Sequence, residues 1–178
     1  METDVQEKET MANKVEKKPL EKVMIICAKG AIEDVYAALI MANGAVMEGI
    51  EAKVFFTFFG LDAITKKQMN RIKTATVGNP AMRAPGGLPF PTILGIIPGV
   101  EAGVSAMMKS SMYKLDIPPV DEFLEMITAG GGELYACKLA MDMFKLEKED
   151  LHEEVKDVLT IGDFYGKCGG DNTQIIFT

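Results

Sequence analysis

Three thiols, Cys27, Cys137 and Cys168, are the side chains of this 178-residue chain best suited to nucleophilic chemistry. None belongs to a Cys-x-x-Cys pair, which argues against a structural zinc site and against a dithiol redox motif. A single cysteine does its chemistry as a thiolate, and its pKa falls beside a cation or at the start of a helix. Cys137 sits at such a place by pattern: ELYAC (133–137) reads as a strand that runs straight into KLAMDMF (138–144), a helix. There the thiol would meet the positive end of the helix dipole and its free amides, with Lys138 next in the chain. A small buried residue closing a strand fits the same position, because free cysteine is among the most buried residue types. Cys27 ends an earlier apolar run, and Cys168 lies in the glycine-rich stretch GKCGGDN.

The remaining reactive residues offer less. His152 is the only histidine and falls in the acidic run EKEDLHEEVKD, where an exposed helix face is expected. With no partner at ligand spacing, no metal site is expected. Ser105, Ser110 and Ser111 lack a Gly-x-Ser-x-Gly elbow, and a hydrolase triad would need a suitably placed histidine. The segment after the first apolar run, GAIEDVYAA, lacks the Gly-x-Gly-x-x-Gly fingerprint of a dinucleotide site, so no cofactor is expected. Met107, Met108, Met112, Met141 and Met143 read as apolar packing.

Elements that would position these thiols follow from periodicity. KVMIICAKG (22–30) is a continuous apolar run, the pattern of a strand covered on both faces. Residues 31–50 then repeat at helical spacing, with Glu33 and Asp34 in the first turn. EAKVFFTFFG (51–60) predicts a second strand, and 61–73 a short polar-faced helix or ordered loop. Residues 74–99 are dense in Gly and Pro and predict a long irregular connection whose apolar content favours burial. A helix is expected over 99–117 and a clearer one over 118–131, opened by Pro118 and Pro119. After ELYAC and its helix, 147–170 reads as one or two acidic helices or turns, and TQIIFT (173–178) as a last strand. Strands alternating with helices predict an α/β fold with right-handed crossovers. Cys27 and Cys137 both lie at strand carboxyl ends, where such sheets bind ligands, so both could face one pocket.

Composition bounds the class. With 48% hydrophobic residues, the chain can bury one full-sized core. Its net charge of −7 excludes a nucleic-acid backbone as the expected partner. Residues 1–21 are nearly all polar or charged and are read as a disordered tail, with a single domain over 22–178. Free thiols and the absence of a signal-like opening predict a cytoplasmic protein. Residues 88–108 are apolar enough to suggest a membrane, but Pro89, Pro91, Pro98 and Glu101 oppose a continuous span. A buried loop and helix start, or a subunit interface, is expected there, with no membrane span.

Taken in order, KVMIICAKG, KVFFTFFGL (53–61), PTILGIIPG (91–99) and GELYACKLAMDMF (132–144) resemble the DsrE/DsrF/DsrH-like family, and within it soluble relatives of the type-two DsrE subgroup. The resemblance covers residues 22–178 and is most specific at Tyr-Ala-Cys with Met141 close behind, and at FFTFFGL. It implies a flavodoxin-like three-layer sandwich with a mostly parallel sheet, homo-oligomers, and a Cys137 that carries sulfur as a persulfide or thiosulfonate. The implied partners are an inorganic or protein-bound sulfane sulfur donor and sulfur-transfer proteins. Cys27 would serve as a second sulfur site or resolving thiol if its side chain projects into the same cleft as Cys137 rather than into a helix layer. A non-catalytic small-molecule or regulatory binding module with structural cysteines is the alternative.

Overall fold

Runs of Val, Ile and Phe long enough to cross a core form the strands, and the helical-period segments between them form the crossovers. The computed structural model describes residues 19–76, 83, 87, 91–169 and 172–178. Its strands are β1 (Lys22–Cys27), β2 (Glu51–Phe56), β3 (Glu133–Cys137), β4 (Val155–Leu159) and β5 (Thr173–Phe177). Its helices are α1 (Ile32–Met47), α2 (Val100–Tyr113), α3 (Val120–Ala129), α4 (Lys138–Phe144) and α5 (Ile161–Lys167). The disordered-tail reading of 1–21 falls, as far as residue 18, outside the described residues.

The strands form one sheet in the order β4-β3-β2-β1-β5, and every pairing is parallel. From β1 to β4 the chain steps one way across the sheet, and right-handed crossovers keep those helices on one face. The step from β4 to β5 reverses direction, which sends α5 to the other face. Register sets the faces: Cys27, Phe56, Ala136 and Val158 align on the first, and Ile26, Phe55, Tyr135 and Asp157 on the second. The architecture is the α/β sandwich expected.

On the first face, α1 buries Val35, Leu39 and Ala42, and α3 buries Phe123, Leu124 and Ile127. Tyr36 and Phe123 join the two helices edge to face, with centroids 5.9 Å apart. Each fully buried large side chain here, such as Leu39, Phe56 or Ile127, contributes about 1.5–3 kcal/mol. Acidic residues open both helices, Glu33 and Asp34 in α1 and Asp121 and Glu122 in α3, where they complement the dipole.

The second face is covered less. Helix α5, started by a reciprocal Thr160–Asp163 capping box, lays Phe164 on Phe55 at 4.7 Å and sets the Lys167 ammonium 4.9 Å from the Tyr135 ring centre. Beyond it the strands carry a row of charges. Lys22 pairs with Glu51 at 3.4 Å and Lys53 with Glu133 at 3.5 Å, while Lys53 also meets Glu51 and Lys156 meets Glu133. A parallel sheet with both faces buried would hold apolar side chains at these positions. On β5, Ile175 and Phe177 remain exposed.

Residues 61–73, expected as a short helix or an ordered loop, take the second form, with 3-10 turns at Phe58–Ile64 and Met69–Arg71. Three expectations need correction. The acidic stretch 147–170 contains an unanticipated strand, β4, an edge strand that buries only Val155 and Leu159 and therefore shows no apolar run. Within 88–108, where 88–90 lie outside the described residues, the chain forms a 3-10 turn at Thr92–Ile96 and then α2. It is not a buried loop: Ile93, Ile96 and Ile97 are each at least half exposed. No described helix is long and apolar enough to cross a membrane. Finally, His152 is not on an exposed helix. It is buried, its backbone N–H donates to the Ile64 carbonyl at 2.8 Å, and its Nδ1 accepts from the Glu154 N–H at 3.3 Å.

Candidate functional site

β3 passes directly into α4 with no intervening loop. Cys137 is both the last strand residue and the N-cap of the helix, at φ −80° and ψ 118°, without a side-chain cap bond. The junction holds because Ala140 and Met141 turn into the core while Leu139 and Met143 turn out. After seven residues Lys145, in the left-handed region, ends the helix. Cys137 is buried, 3% exposed.

Beside this junction stands the turn that follows β2. Phe58 has φ 44°, a left-handed value that bulky side chains rarely take. The Phe59 ring lies 5.6 Å from that of Phe144 on α4. Two glycines let the turn press on the end of β1. A Cβ at Gly60 would strike the Cys27 carbonyl, 2.8 Å from its carbon, and one at Gly30 would strike the Phe59 carbonyl. Phe58, Phe59, Leu139 and Met143 are each at least half exposed, so an apolar rim stands at the carboxyl end of β3. Reading 51–60 as one strand missed this rim. The signal was Gly60 at the end of a four-phenylalanine run.

The other thiols lie elsewhere. Cys27 is fully buried on the first face, and its S–H donates to the Lys29 carbonyl at 3.6 Å. Burial pushes this thiol up to about 11, partly offset by the hydrogen bond with Thr178. Cys137, one residue beyond Ala136 in register, points by alternation to the opposite face. The structure therefore does not bring Cys27 and Cys137 into one pocket, and Cys27 is not placed to resolve an adduct on Cys137. Cys168 is the C-cap of α5, at the amino ends of the strands. Burial raises its pKa against the opposing charges of Lys22 and Lys53.

At the carboxyl end of β1, where strand order reverses between β1 and β5, a cavity of about 450 Å³ opens beside Phe59. Lys29 pairs there with Asp34 at 3.1 Å and Lys73 with Glu101 at 2.8 Å. Arg71 has no carboxylate partner among the described residues, and burial raises the Asp62 carboxyl. Ser105 is a bracing residue: its hydroxyl donates to the Glu101 carbonyl at 2.7 Å and accepts from the Thr74 N–H at 3.0 Å. Among the described residues no group of three or more His, Cys, Asp or Glu is placed to hold a metal ion.

The chain is similar to proteins already described. The chain is 31% identical over 137 residues to "Sulfur carrier protein DsrE2" of Allochromatium vinosum, a match spanning 76% of this chain and 85% of that one. It is 26% identical over 136 residues to the uncharacterized protein YrkE of Bacillus subtilis, covering 75% and 83%. The crystal structure of the ychN protein from E. coli superposes with a TM-score of 0.51 over 89% of this chain and 99% of that one. At 15% identity this likeness speaks to the fold alone. Residues 19–176, which include β1 to β4, most of β5, Cys137 and the apolar rim, match a family model, and the chain belongs to the DsrE/DsrF/DrsH-like family.

Proposed function

We propose that this protein carries sulfane sulfur on Cys137 and relays it to a partner thiol in the cytoplasm. The observation that carries the reading is the position of Cys137. It is a buried thiol at a strand carboxyl end, opening a helix with exposed apolar side chains nearby, in a chain similar to a sulfur carrier protein. In the forward step the Cys137 thiolate attacks the outer sulfur of a donor persulfide. The donor S–S bond breaks, the donor thiolate leaves, and Cys137 becomes a persulfide. From tetrathionate the same attack breaks the central S–S bond, releases thiosulfate and leaves a thiosulfonate on Cys137. In the return step an acceptor thiolate attacks the sulfur bonded to the Cys137 Sγ, that S–S bond breaks, and Cys137 leaves as thiolate while the acceptor takes the persulfide or thiosulfonate group, so no net oxidant or reductant is consumed.

A buried sulfur needs a partner that displaces its cover, and the rim of Phe58, Phe59, Leu139 and Met143 suits a docking protein better than a small hydrophilic donor alone. Self-association belongs to the same reading: the half-covered second face, with Ile175 and Phe177 exposed beside the charged row, suits a second copy of the chain. Sedimentation of the wild type and of Phe177→Glu tests that element, which fails if both are monomers.

The decisive experiment treats reduced protein with polysulfide, thiosulfate and tetrathionate separately and locates added sulfur by peptide mass spectrometry. Loading on Cys137 that is lost in Cys137→Ser and kept in Cys27→Ala supports the carrier. Absence of any adduct on Cys137 would leave a binding module with structural cysteines.

A further inference from the structure

We infer that the cavity bounded by α1, the carboxyl end of α2 and the start of α3 binds a small amphipathic organic anion, a monocarboxylate with an apolar body whose head group meets Lys109. The cavity measures about 670 Å³, within the roughly 300–1,000 Å³ typical of small-molecule sites. It does not include Cys137 or its rim, so this site stands apart from sulfur carriage.

The walls select an apolar body. Ile72 is buried in the lining, and Met112 and Ile117 are half-buried against the core. Tyr36 contributes its ring, because its hydroxyl is already committed, donating to the Pro118 carbonyl at 3.1 Å. These groups supply little to a sugar and much to a hydrocarbon.

The head group is selected by Lys109. Its Nζ donates to the Asn70 carbonyl at 3.0 Å and has no carboxylate within ion-pair distance among the described residues. Two of its three N–H groups are therefore available. Burial lowers the pKa of this ammonium, as expected of a charge that has lost water without gaining a counter-ion. A ligand carboxylate would supply that counter-ion. Asp116 and Glu122 also line the cavity, both on its exposed rim, and their charges disfavour a multivalent anion such as a nucleotide. One negative charge on an apolar stem satisfies both conditions.

Isothermal titration of the full chain with octanoate, butyrate and octanamide tests this without any mutation. Octanoate is expected to bind once per chain, with butyrate and octanamide each about tenfold weaker or more. Lys109→Met is expected to weaken octanoate about tenfold and leave octanamide unchanged, and Ile117→Trp to abolish octanoate binding by filling the cavity. Equal affinity for octanoate and octanamide, or an unchanged octanoate affinity in Lys109→Met, would overturn the role of the cation. Octanoate binding intact in a folded Ile117→Trp, or absent from the wild type, would overturn the site. Sulfur loading of Cys137 in Lys109→Met reports separately, since the two sites share no residue.

Discussion

Cys27 and Cys137 end two strands of one sheet yet face opposite sides of it. Cys27 aligns through Phe56 with Ala136, so Cys137 is one place out of step. Two strand spacings separate them, about 9–10 Å between Cα atoms, beyond the roughly 7 Å that a disulfide can bridge.

The first prediction concerns thiol reactivity. A Cys27 pKa of about 11 against an ordinary 9.0 leaves about a hundredfold less thiolate at pH 8, before its burial is counted. Iodoacetamide labelling read by peptide mass spectrometry should therefore find Cys27 more than about a hundredfold slower than free cysteine, and mild oxidation should give no Cys27–Cys137 disulfide. Detection of that disulfide in folded protein would refute the placement.

The turn beside Cys137 stores strain at Phe58. A left-handed backbone costs a non-glycine residue about 1 kcal/mol or more, so Phe58→Gly should be more stable than Phe58→Ala by about 1 kcal/mol in urea unfolding. Both remove the ring from the rim, and both should slow sulfur transfer to a protein acceptor more than loading from polysulfide. Equal stability of the two variants would show that residue 58 does not hold a left-handed conformation.

Gly60 is expected to be intolerant and Gly44 permissive. The Gly60→Ala methyl would meet the Cys27 backbone and should cost about 1–3 kcal/mol. Gly44 lies in α1 with open space where a Cβ would stand, so Gly44→Ala should stabilise by about 0.5–1 kcal/mol. Thermal melts of the pair check both signs at once.

The charged row on the second face should govern acid stability. Burial alone would raise the Glu133 carboxyl, but hydrogen bonds from Lys156 and Tyr135 and the charges of Lys53 and Lys156 bring it from 4.5 down to about 2. A carboxyl depressed in the folded state stabilises fully above its unfolded pKa and loses that contribution as pH falls through the folded value. Urea midpoints of the wild type should thus decline between about pH 4.5 and pH 2, and Glu133→Gln should flatten that decline. An acid limb unchanged in Glu133→Gln would assign it to other carboxylates.

How legible the molecule was depended on whether a feature is local. β1, β2, β3 and β5 stand out as short apolar runs, and α3 shows its proline start and glycine end in sequence. β4 was hidden because an edge strand burying only Val155 and Leu159 leaves the polar pattern of an acidic loop. The strand-to-helix placing of Cys137 could be read directly. Which way it faces relative to Cys27 could not, because one residue of register exchanges the faces. The cavity at Lys109 was beyond reach for another reason: Tyr36, Ile72 and the pair Lys109 and Ile117 come from three separated segments, and no spacing announces their meeting.

The position of β5 has a consequence for how the chain is made. Its partner is β1, and the pairing of Lys22 with Thr173 through Ile26 with Phe177 spans nearly the whole described chain. During synthesis the outer edge of β1 stays unpaired while the other three strands can already assemble, which leaves a parallel edge open to wrong partners. Such distant pairing slows folding and lengthens exposure to aggregation. A ribosome-stalled chain ending before residue 173 should be the species on which chaperones act longest.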